Sequence, residues 1–516
     1  MENLTGNLRT LLHEPQAGVC LHISSLPGHY GIGEIGGAAR EFIDLMVRMN
    51  LKVWQFLPIG PTAYGDSPYQ PLSTFAGNEM LIDVGSMIRE GLVTSNEADS
   101  LIHLPTKQVD YGALIAKKKI LLDRAAGRFH SQSSARTLAD FDQFLECHNQ
   151  AWLHEYALFR ILKSRHQERP WPEWDPSLVH REHKALRRIE ADAGYEIERI
   201  KVMQYIFYRQ WKRLREYAAA HGIVLFGDMP ICIALDSADA WANREILCLN
   251  RDAQPTHVAG VPPDYFSEDG QLWGNPLYDW EFHAATGYRW WIERVQKSAE
   301  QTDIVRLDHF RGFESFWSVP SEAQSARVGE WKPGPGDAIF NAMHDALGYL
   351  PIIAEDLGVI TPEVEALRDR HNIPGMRVLQ FEINDHDFDI SSIAENCVCY
   401  TGTHDNDTTV GWFLGSEGDS RTRDEILKTQ KRVLDITNGD LDSIHDDMIR
   451  VAYSSPALLA IAPLQDYLGL GSEARLNIPG TTANNWRWRM SSEQLTPAVM
   501  DSIGEMVAKS SRSMVT

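Results

Sequence analysis

Cysteine is scarce and scattered. Cys20, Cys147, Cys232, Cys248, Cys397 and Cys399 form no C-x-x-C pair, which excludes a zinc ribbon and a disulfide-stapled scaffold. Most of the six lie in apolar runs, where a free thiol packs as a small hydrophobe, and a reducing, cytoplasmic setting follows. Positive charge is also short, with 49 Lys and Arg against 71 Asp and Glu and a formal net charge of -22. Nucleic acid and anionic membranes both require a basic face, so neither is the main partner, whereas a neutral substrate fits. No stretch of about 18 apolar residues is present, so no membrane span is expected. The start, MENLTGNLRTLLHEPQAG, has no basic segment leading into an apolar core and is not read as a signal peptide. No Ser- and Arg-rich, acid-poor leader is seen either, which favours a bacterial cytoplasm over a plastid. Repeats, low-complexity tracts and Ser/Gly/Pro-rich linkers are lacking as well.

What the chain does have is a series of short β-rich runs that end in polar or charged residues. They are GVCLHISS (18–25), KVWQFLPIG (52–60), IVLFGDMPI (223–231), DIVRLDHF (303–310), PIIAEDLG (351–358), MRVLQFEI (376–383), CVCYTGTHD (397–405) and LLAIAPLQD (458–466). Each is nearly continuous in apolar residues, the pattern of a strand buried on both faces of a parallel sheet. Helical patterns separate most of them, such as QWKRLREYAAAHG before the third and PEVEALRDRH after the fifth, with Gly222 and Pro362 as end signals. Eight strands alternating with helices predict a (β/α)8 TIM barrel, whose active-site groups stand at the C-terminal strand ends. Residues 75–220 hold several helical patterns and are read as a large, mainly helical insertion between the second and third strands. The whole of 1–516 is then a single catalytic barrel. The stretch 256–280 is rich in Pro, Gly and aromatics and is read as a long, lid-like loop over a strand end.

Asp228, Asp308, Glu355 and Asp405 all fall at the ends of such runs. One strand-end charge is usually a solvated loop residue, but four acids at matching positions on separate strands form a set. Breaking a glycosidic bond requires two carboxyls, one to protonate the leaving oxygen and one to attack or to activate water. Arg306 lies two residues before Asp308 and so points to the same side of the strand; a cation there keeps a carboxylate ionised, as a nucleophile requires. Glu355 follows apolar residues, which favour the protonated form a general acid needs. His404, Asp405, Asn406 and Asp407 make a dense polar cluster. Fifteen Trp lean towards sugar-ring stacking, although any one Trp is more often core.

Several stretches resemble glycoside hydrolase family 77, the 4-α-glucanotransferases. They include SSLPGHYGIGEIG (24–36), WQFLPIGPTAYGDSPYQPLSTFAGN (54–78), FGDMPICIALDSADAW (226–241), GVPPDYFSEDGQLWGNPLYDW (260–280), RLDHFRGF (306–313), IIAEDLG (352–358), GTHDNDTTVGW (402–412) and NIPGTTANNWRWR (477–489). They run in family order over nearly the whole chain. The resemblance implies that Asp308 is the nucleophile, Glu355 the general acid/base and Asp405 a third carboxylate that binds sugar hydroxyls. His404, Arg306 and Asp228 match substrate-binding companions. Tyr69 matches an active-site Tyr, and Tyr64 one at a more remote glucan contact. Asp264, Trp273 and Asn275 fall in the lid-like stretch on the acceptor side. The substrates implied are α-1,4-glucans and maltooligosaccharides, with no cofactor and no metal. One departure is Asn484-Asn485-Trp486, where many members have Gly-Asn-Trp; it lies far along the chain from the catalytic motifs.

Some signals point elsewhere. GIGEIG (31–36) fits G-x-G-x-x-G, but SSLPGHY separates it from the first run and no acid follows about 20 residues on, so it reads as a turn rather than a dinucleotide fingerprint. Cys397 and Cys399 share a strand face without further ligands at metal spacing and read as core. The charges of KSRHQER read as a solvated face. An α-amylase-like hydrolase would share the carboxylates and differ in acceptor, and a catalytically dead glucan-binding protein would lack them.

Overall fold

All eight apolar runs form strands in a computed structural model, which describes residues 8–263, 269–385, 387–416, 419 and 421–512. In chain order the strands are β1 (Gln16–Cys20), β2 (Val53–Gln55), β3 (Val224–Met229), β4 (His257–Val261), β5 (Gln271–Pro276), β6 (Ile304–Leu307), β7 (Ser315–Pro320), β8 (Glu330–Pro333), β9 (Ile352–Ala354), β10 (Gly375–Val378), β11 (Cys397–Tyr400) and β12 (Leu459–Pro463). Eight of them make one sheet in the order β10-β11-β12-β1-β2-β3-β6-β9, and every neighbouring pair is parallel. The two ends meet where the Ala354 N–H donates to the Pro374 carbonyl at 2.8 Å, closing the (β/α)8 barrel. The strands are shorter than the apolar runs because each run leaves the sheet at its polar end. MRVLQFEI, for example, is strand only to Val378 and then turns into the helical segment Leu379–Glu382.

The barrel interior is apolar. Cys20, Val53, Phe226, Ile304, Ile353, Met376, Val398 and Leu459 form one cluster, with one residue from each of the eight strands. Outside it, Trp54 is fully buried and packs edge-on against Phe42 at 5.0 Å and Phe56 at 6.0 Å. Between β2 and β3 the chain is helical, from Val84–Arg89 to the 27-residue helix Gly194–Ala220. That last helix buries Val202, Ile206, Leu214 and Ala218 along one stripe, the 3.6-residue period of a packed face. Trp211 ties it to the barrel, edge-on to Phe56 at 5.4 Å. No helix among the described residues is long and apolar enough to cross a membrane.

The stretch 256–280 departs from the expected loop. It contributes β4 and β5 to a four-stranded antiparallel sheet, β5-β4-β7-β8, beside the barrel. Glycine and proline hid these strands. Their partners, at 315–320 and 330–333, are distant in sequence, so local pattern gave no sign of the pairing.

GIGEIG lies in the connection that follows β1, and its glycines are explained by packing. A β-carbon on Gly33 would overlap the Ile23 carbonyl oxygen, whereas one on Gly37 would meet nothing within 4 Å. Glu34 of the same motif is buried against Lys118 of the helix Tyr111–Gln132 and accepts from the Val84 N–H at 3.4 Å. The motif thus fastens the first loop to the helical segment. Gly33→Ala is predicted to destabilise the protein by about 1–3 kcal/mol through overpacking. The urea midpoint should fall in that variant, while Gly37→Ala, at the start of a helix, should leave it unchanged or slightly higher.

Candidate active site

The barrel register builds the site. Asp228 on β3 and Arg306 on β6 are direct cross-strand neighbours. Arg306 donates to Asp228 Oδ2 at 2.7 Å and pairs with Asp308 Oδ1 at 2.9 Å. The Asp228 side chain is fully buried, that of Arg306 5% exposed, and that of Asp308 26% exposed. One buried cation therefore holds one buried carboxylate beneath it and one carboxylate that reaches the cleft. Burial works against the Arg306 charge, but Asp228 and Asp308 outweigh it and hold the guanidinium more firmly protonated than usual. Burial pushes the Asp228 carboxyl above its ordinary value and Asp308 pushes the same way, against the pull of Arg306.

Glu355 stands one rung further along the neighbouring strand pair. β6 and β9 are paired through Leu307 and Ala354, so Asp308 and Glu355 leave adjacent strands side by side. Glu355 Oε2 accepts the His309 N–H at 2.6 Å and Oε1 the Leu357 N–H at 3.0 Å. His309 adopts φ 52 and ψ 52, a left-handed conformation uncommon for a non-glycine residue, and this aims its N–H at Glu355. Burial nevertheless dominates and, helped by Asp308 against Arg306, pushes the Glu355 carboxyl up to about 7.

Arg306 also anchors a chain of contacts that runs to the far side of the barrel. Tyr69, in the loop after β2, donates its O–H to Asp228 Oδ2 at 2.7 Å. The phenol has one proton to give, so the 2.8 Å contact with His404 Nε2 is donated by the imidazole, which fixes its tautomer. The Tyr69 and His404 rings stack at 5.2 Å and 12°. His404 Nε2 lies 3.5 Å from Asp405 Oδ2, and the Asp405 side chain is 44% exposed. Asp405 is held from behind: Asn477 Nδ2 donates to its Oδ1 at 2.6 Å and Arg475 Nη2 to its carbonyl at 2.8 Å. Beneath them His22 is buried, and burial together with His404 pulls its imidazole down to about 3.

Asp308, Glu355, Asp405, Arg306, Asp228, His404 and Tyr69 thus come together at the C-terminal strand ends. Trp273 on β5 joins them, edge-on to the His309 ring at 4.8 Å. Asn275 does not present its amide to the cleft. It is 3% exposed, and it exchanges hydrogen bonds with Gln70 at 2.9 and 3.2 Å and donates to the Ile233 carbonyl at 2.9 Å. Asp264 lies outside the described residues. Tyr64 opens the short helical turn Tyr64–Asp66, and its side chain is likewise outside the described set. Sequence reading missed Asn477, Arg475, His309 and Trp486. Trp486 is 5.9 Å from the Tyr69 ring and 6.1 Å from His404, so the departing Asn-Asn-Trp segment is spatially close to the site although remote in sequence. Asn484 has φ 63, a conformation that Asn tolerates nearly as Gly does, which explains how it replaces the usual Gly. The quoted NIPGTTANNWRWR stretch was the signal that pointed to this region. Among the described residues no three His, Cys, Asp or Glu side chains cluster as metal ligands.

The raised Glu355 sets a pH-dependent cost. A carboxyl whose pKa rises on folding, from its ordinary 4.5 to about 7, loses stability as pH climbs through that window. Glu355→Gln should therefore be more stable than the unaltered protein at pH 8, by on the order of 3 kcal/mol at full ionisation. The gap should close as pH falls to about 5; thermal melts across that range check it.

The sequence profile of the family described as 4-alpha-glucanotransferase matches residues 21–496. The 4-alpha-glucanotransferase of Synechocystis sp. is 44% identical over 497 residues, 94% of this chain and 95% of that one. That of Thermus thermophilus is 43% identical over 93% of this chain and 95% of its own length. Among solved structures, amylomaltase from Streptococcus agalactiae in complex with acarbose superposes with a TM-score of 0.91 at 35% identity, covering 97% of this chain and all 100% of that one. The chain belongs to glycoside hydrolase family 77, the 4-α-glucanotransferases.

Proposed function

We propose that this 4-α-glucanotransferase moves α-1,4-glucan segments between maltooligosaccharides by a retaining double displacement through a covalent glucosyl-Asp308. The observation that carries the mechanism is the contrast between two carboxyls on adjacent strands. Asp308 is paired to Arg306 at 2.9 Å, while burial raises Glu355 to about 7. The two follow paired residues, Leu307 and Ala354, on adjacent strands, the side-by-side setting in which one carboxyl can attack while the other protonates.

In the first step an Asp308 oxygen attacks C1 of the donor sugar, the C1–O bond to the leaving glucan breaks, and Glu355 gives its proton to the departing 4-oxygen. In the second, Glu355 takes the proton from the 4-hydroxyl of an acceptor glucan. That oxygen attacks C1, the ester to Asp308 breaks, and the α-linkage is restored. Asp405, braced by Asn477, is placed to bind sugar hydroxyls and to stabilise positive charge at C1. His404, Tyr69, Arg306 and Asp228 hold the floor of the sugar cleft, and Asp264 and Tyr64 belong to the same glucan-binding set. Trp273 flanks the acceptor side, where it stacks on sugar and keeps water out. Asn275 acts through Gln70 by locking β5 to the Tyr69 loop. On this reading the chain is one catalytic barrel with 75–220 as its helical insertion. Its six cysteines, all free, suit a cytoplasmic setting.

Incubation with maltotriose alone should give glucose and a ladder of longer oligosaccharides at constant total reducing ends. Shorter products with rising reducing ends would instead make this a hydrolase. Asp308→Asn should lower turnover by at least about a thousandfold. Because Glu355 must be protonated for the first step, kcat/KM should fall as pH rises through about 7, about tenfold per unit beyond it. A flat profile to pH 9 would contradict Glu355 as the acid.

A further inference from the structure

We infer that Asp466 is a positioning residue for the transfer reaction, a buried carboxylate that pins together both ends of the loop carrying His404 and Asp405. β11 and β12 are paired as far as Tyr400 and Ile461, and the Thr401 N–H adds one more bond to the Ile461 carbonyl at 3.3 Å. Beyond that rung the chain of β11 leaves the sheet. It passes through His404 and Asp405 and enters the helix Thr409–Leu414. The chain of β12 turns instead into the helical segment Leu464–Tyr467, which supplies Asp466.

Asp466 is 1% exposed, and three donors converge on it. Thr401 Oγ1 donates to Oδ2 at 2.6 Å, Thr409 Oγ1 to the same oxygen at 2.8 Å, and the Thr409 N–H to Oδ1 at 2.7 Å. One threonine opens the loop and the other closes it, so a single side chain fixes the distance between its ends. An ionised carboxylate can only accept, which commits both hydroxyl protons to it and leaves neither threonine free to turn.

Stability alone does not account for a carboxylate at this place. Burial pushes the Asp466 carboxyl above its ordinary value, and the threonine donors and His445 offset that only in part. The ionised group therefore costs the fold at neutral pH. What it provides in return is an acceptor on each oxygen. Other contacts grip the middle of the loop. Gln380 Nε2 donates to the Asp407 carbonyl at 2.9 Å, Ser472 Oγ to Asp407 Oδ2 at 2.7 Å, and the Thr403 N–H to Asn406 Oδ1 at 2.9 Å. These ties hold the loop's shape, whereas Asp466 sets where the whole loop stands on the barrel rim. His404 must stack on Tyr69 and Asp405 must reach the cleft from that one placement. A shift of about 1 Å in such a group can cost about a hundredfold in rate.

The inference rests on the roles proposed for His404 and Asp405 and adds the residue that sets their place. Asp466→Asn keeps the side-chain shape but offers one acceptor oxygen where the three donors use two. With maltotriose its kcat should fall about 30- to 100-fold, while KM changes less than about threefold. Leu122→Ala alters a buried residue of the helix Tyr111–Gln132; it lowers stability away from the strand ends and should keep its kcat. Added to Asp405→Asn, Asp466→Asn should cost less than about threefold more, because the group it positions has already been removed. A merely structural loss would multiply with that of Asp405→Asn. Full kcat in Asp466→Asn, or such multiplication, would overturn the inference. If Asp466→Asn does not fold, Thr401 decides. Thr401→Val removes one hydroxyl donor and should lose about three- to tenfold in kcat, whereas Thr401→Ser keeps the donor and should retain its rate. Equal rates in those two variants would likewise overturn the inference. Full activity in Asp405→Asn would overturn the role proposed for Asp405 instead, and the Thr401 pair would still decide whether Asp466 sets the loop.

Discussion

Arg306 is the residue on which the site depends. Its guanidinium is buried at the end of β6 and shared between Asp228 and Asp308. Taking a charge out of water costs several kcal/mol, and that cost is met only when the pairing is close and complete. Here it is met twice, once below by a carboxylate with a fully buried side chain and once above by a carboxylate open to the cleft. Removing Arg306 would leave both carboxylates without their cation in a dry setting. Burial raises both Glu355 and Tyr69, and the same cation works against that rise at each.

The barrel makes this arrangement affordable through its layers. Immediately below the charged ring lies an apolar plug that includes Phe226, Ile304, Ile353 and Val398. Little water can reach the underside of Asp228 or Arg306, and electrostatic interactions there are correspondingly strong. Register then determines who meets whom. Asp228 lies opposite Arg306, and the next rung out on the β6–β9 seam brings Asp308 beside Glu355. Backbone donors complete the geometry, with His309 held in a left-handed conformation to serve Glu355. The Tyr69–His404 stack carries the order across the cleft to Asp405, which Asn477 and Arg475 brace.

Much of this was legible in the sequence for a physical reason. A strand buried on both faces writes itself as an unbroken apolar run, and charges at its end stand out against that background. The eight barrel strands and the positions of Asp228, Arg306, Asp308, Glu355 and Asp405 follow from that contrast. The antiparallel strands β4 and β5 were not legible, because Gly260, Gly274 and Pro276 interrupt them and their partners come later in the chain. Asn275 looked like a sugar ligand because of its motif, but its amide is taken by Gln70 and Ile233, a pairing that no local pattern announces. Trp486 and Asn477 were hidden by distance along the chain, since only folding brings them against Tyr69, His404 and Asp405.

The claim at the centre of this account is that Asp308 forms a bond to the sugar while Glu355 works beside it as acid and base. The most direct measurement is mass spectrometry of Glu355→Gln protein after reaction with an α-maltosyl fluoride, whose leaving group needs no acid. The account predicts a maltosyl adduct on the peptide that contains Asp308, and its loss when Asp308→Asn is added. An adduct on another residue, or turnover of the fluoride with inversion and no adduct, would contradict it.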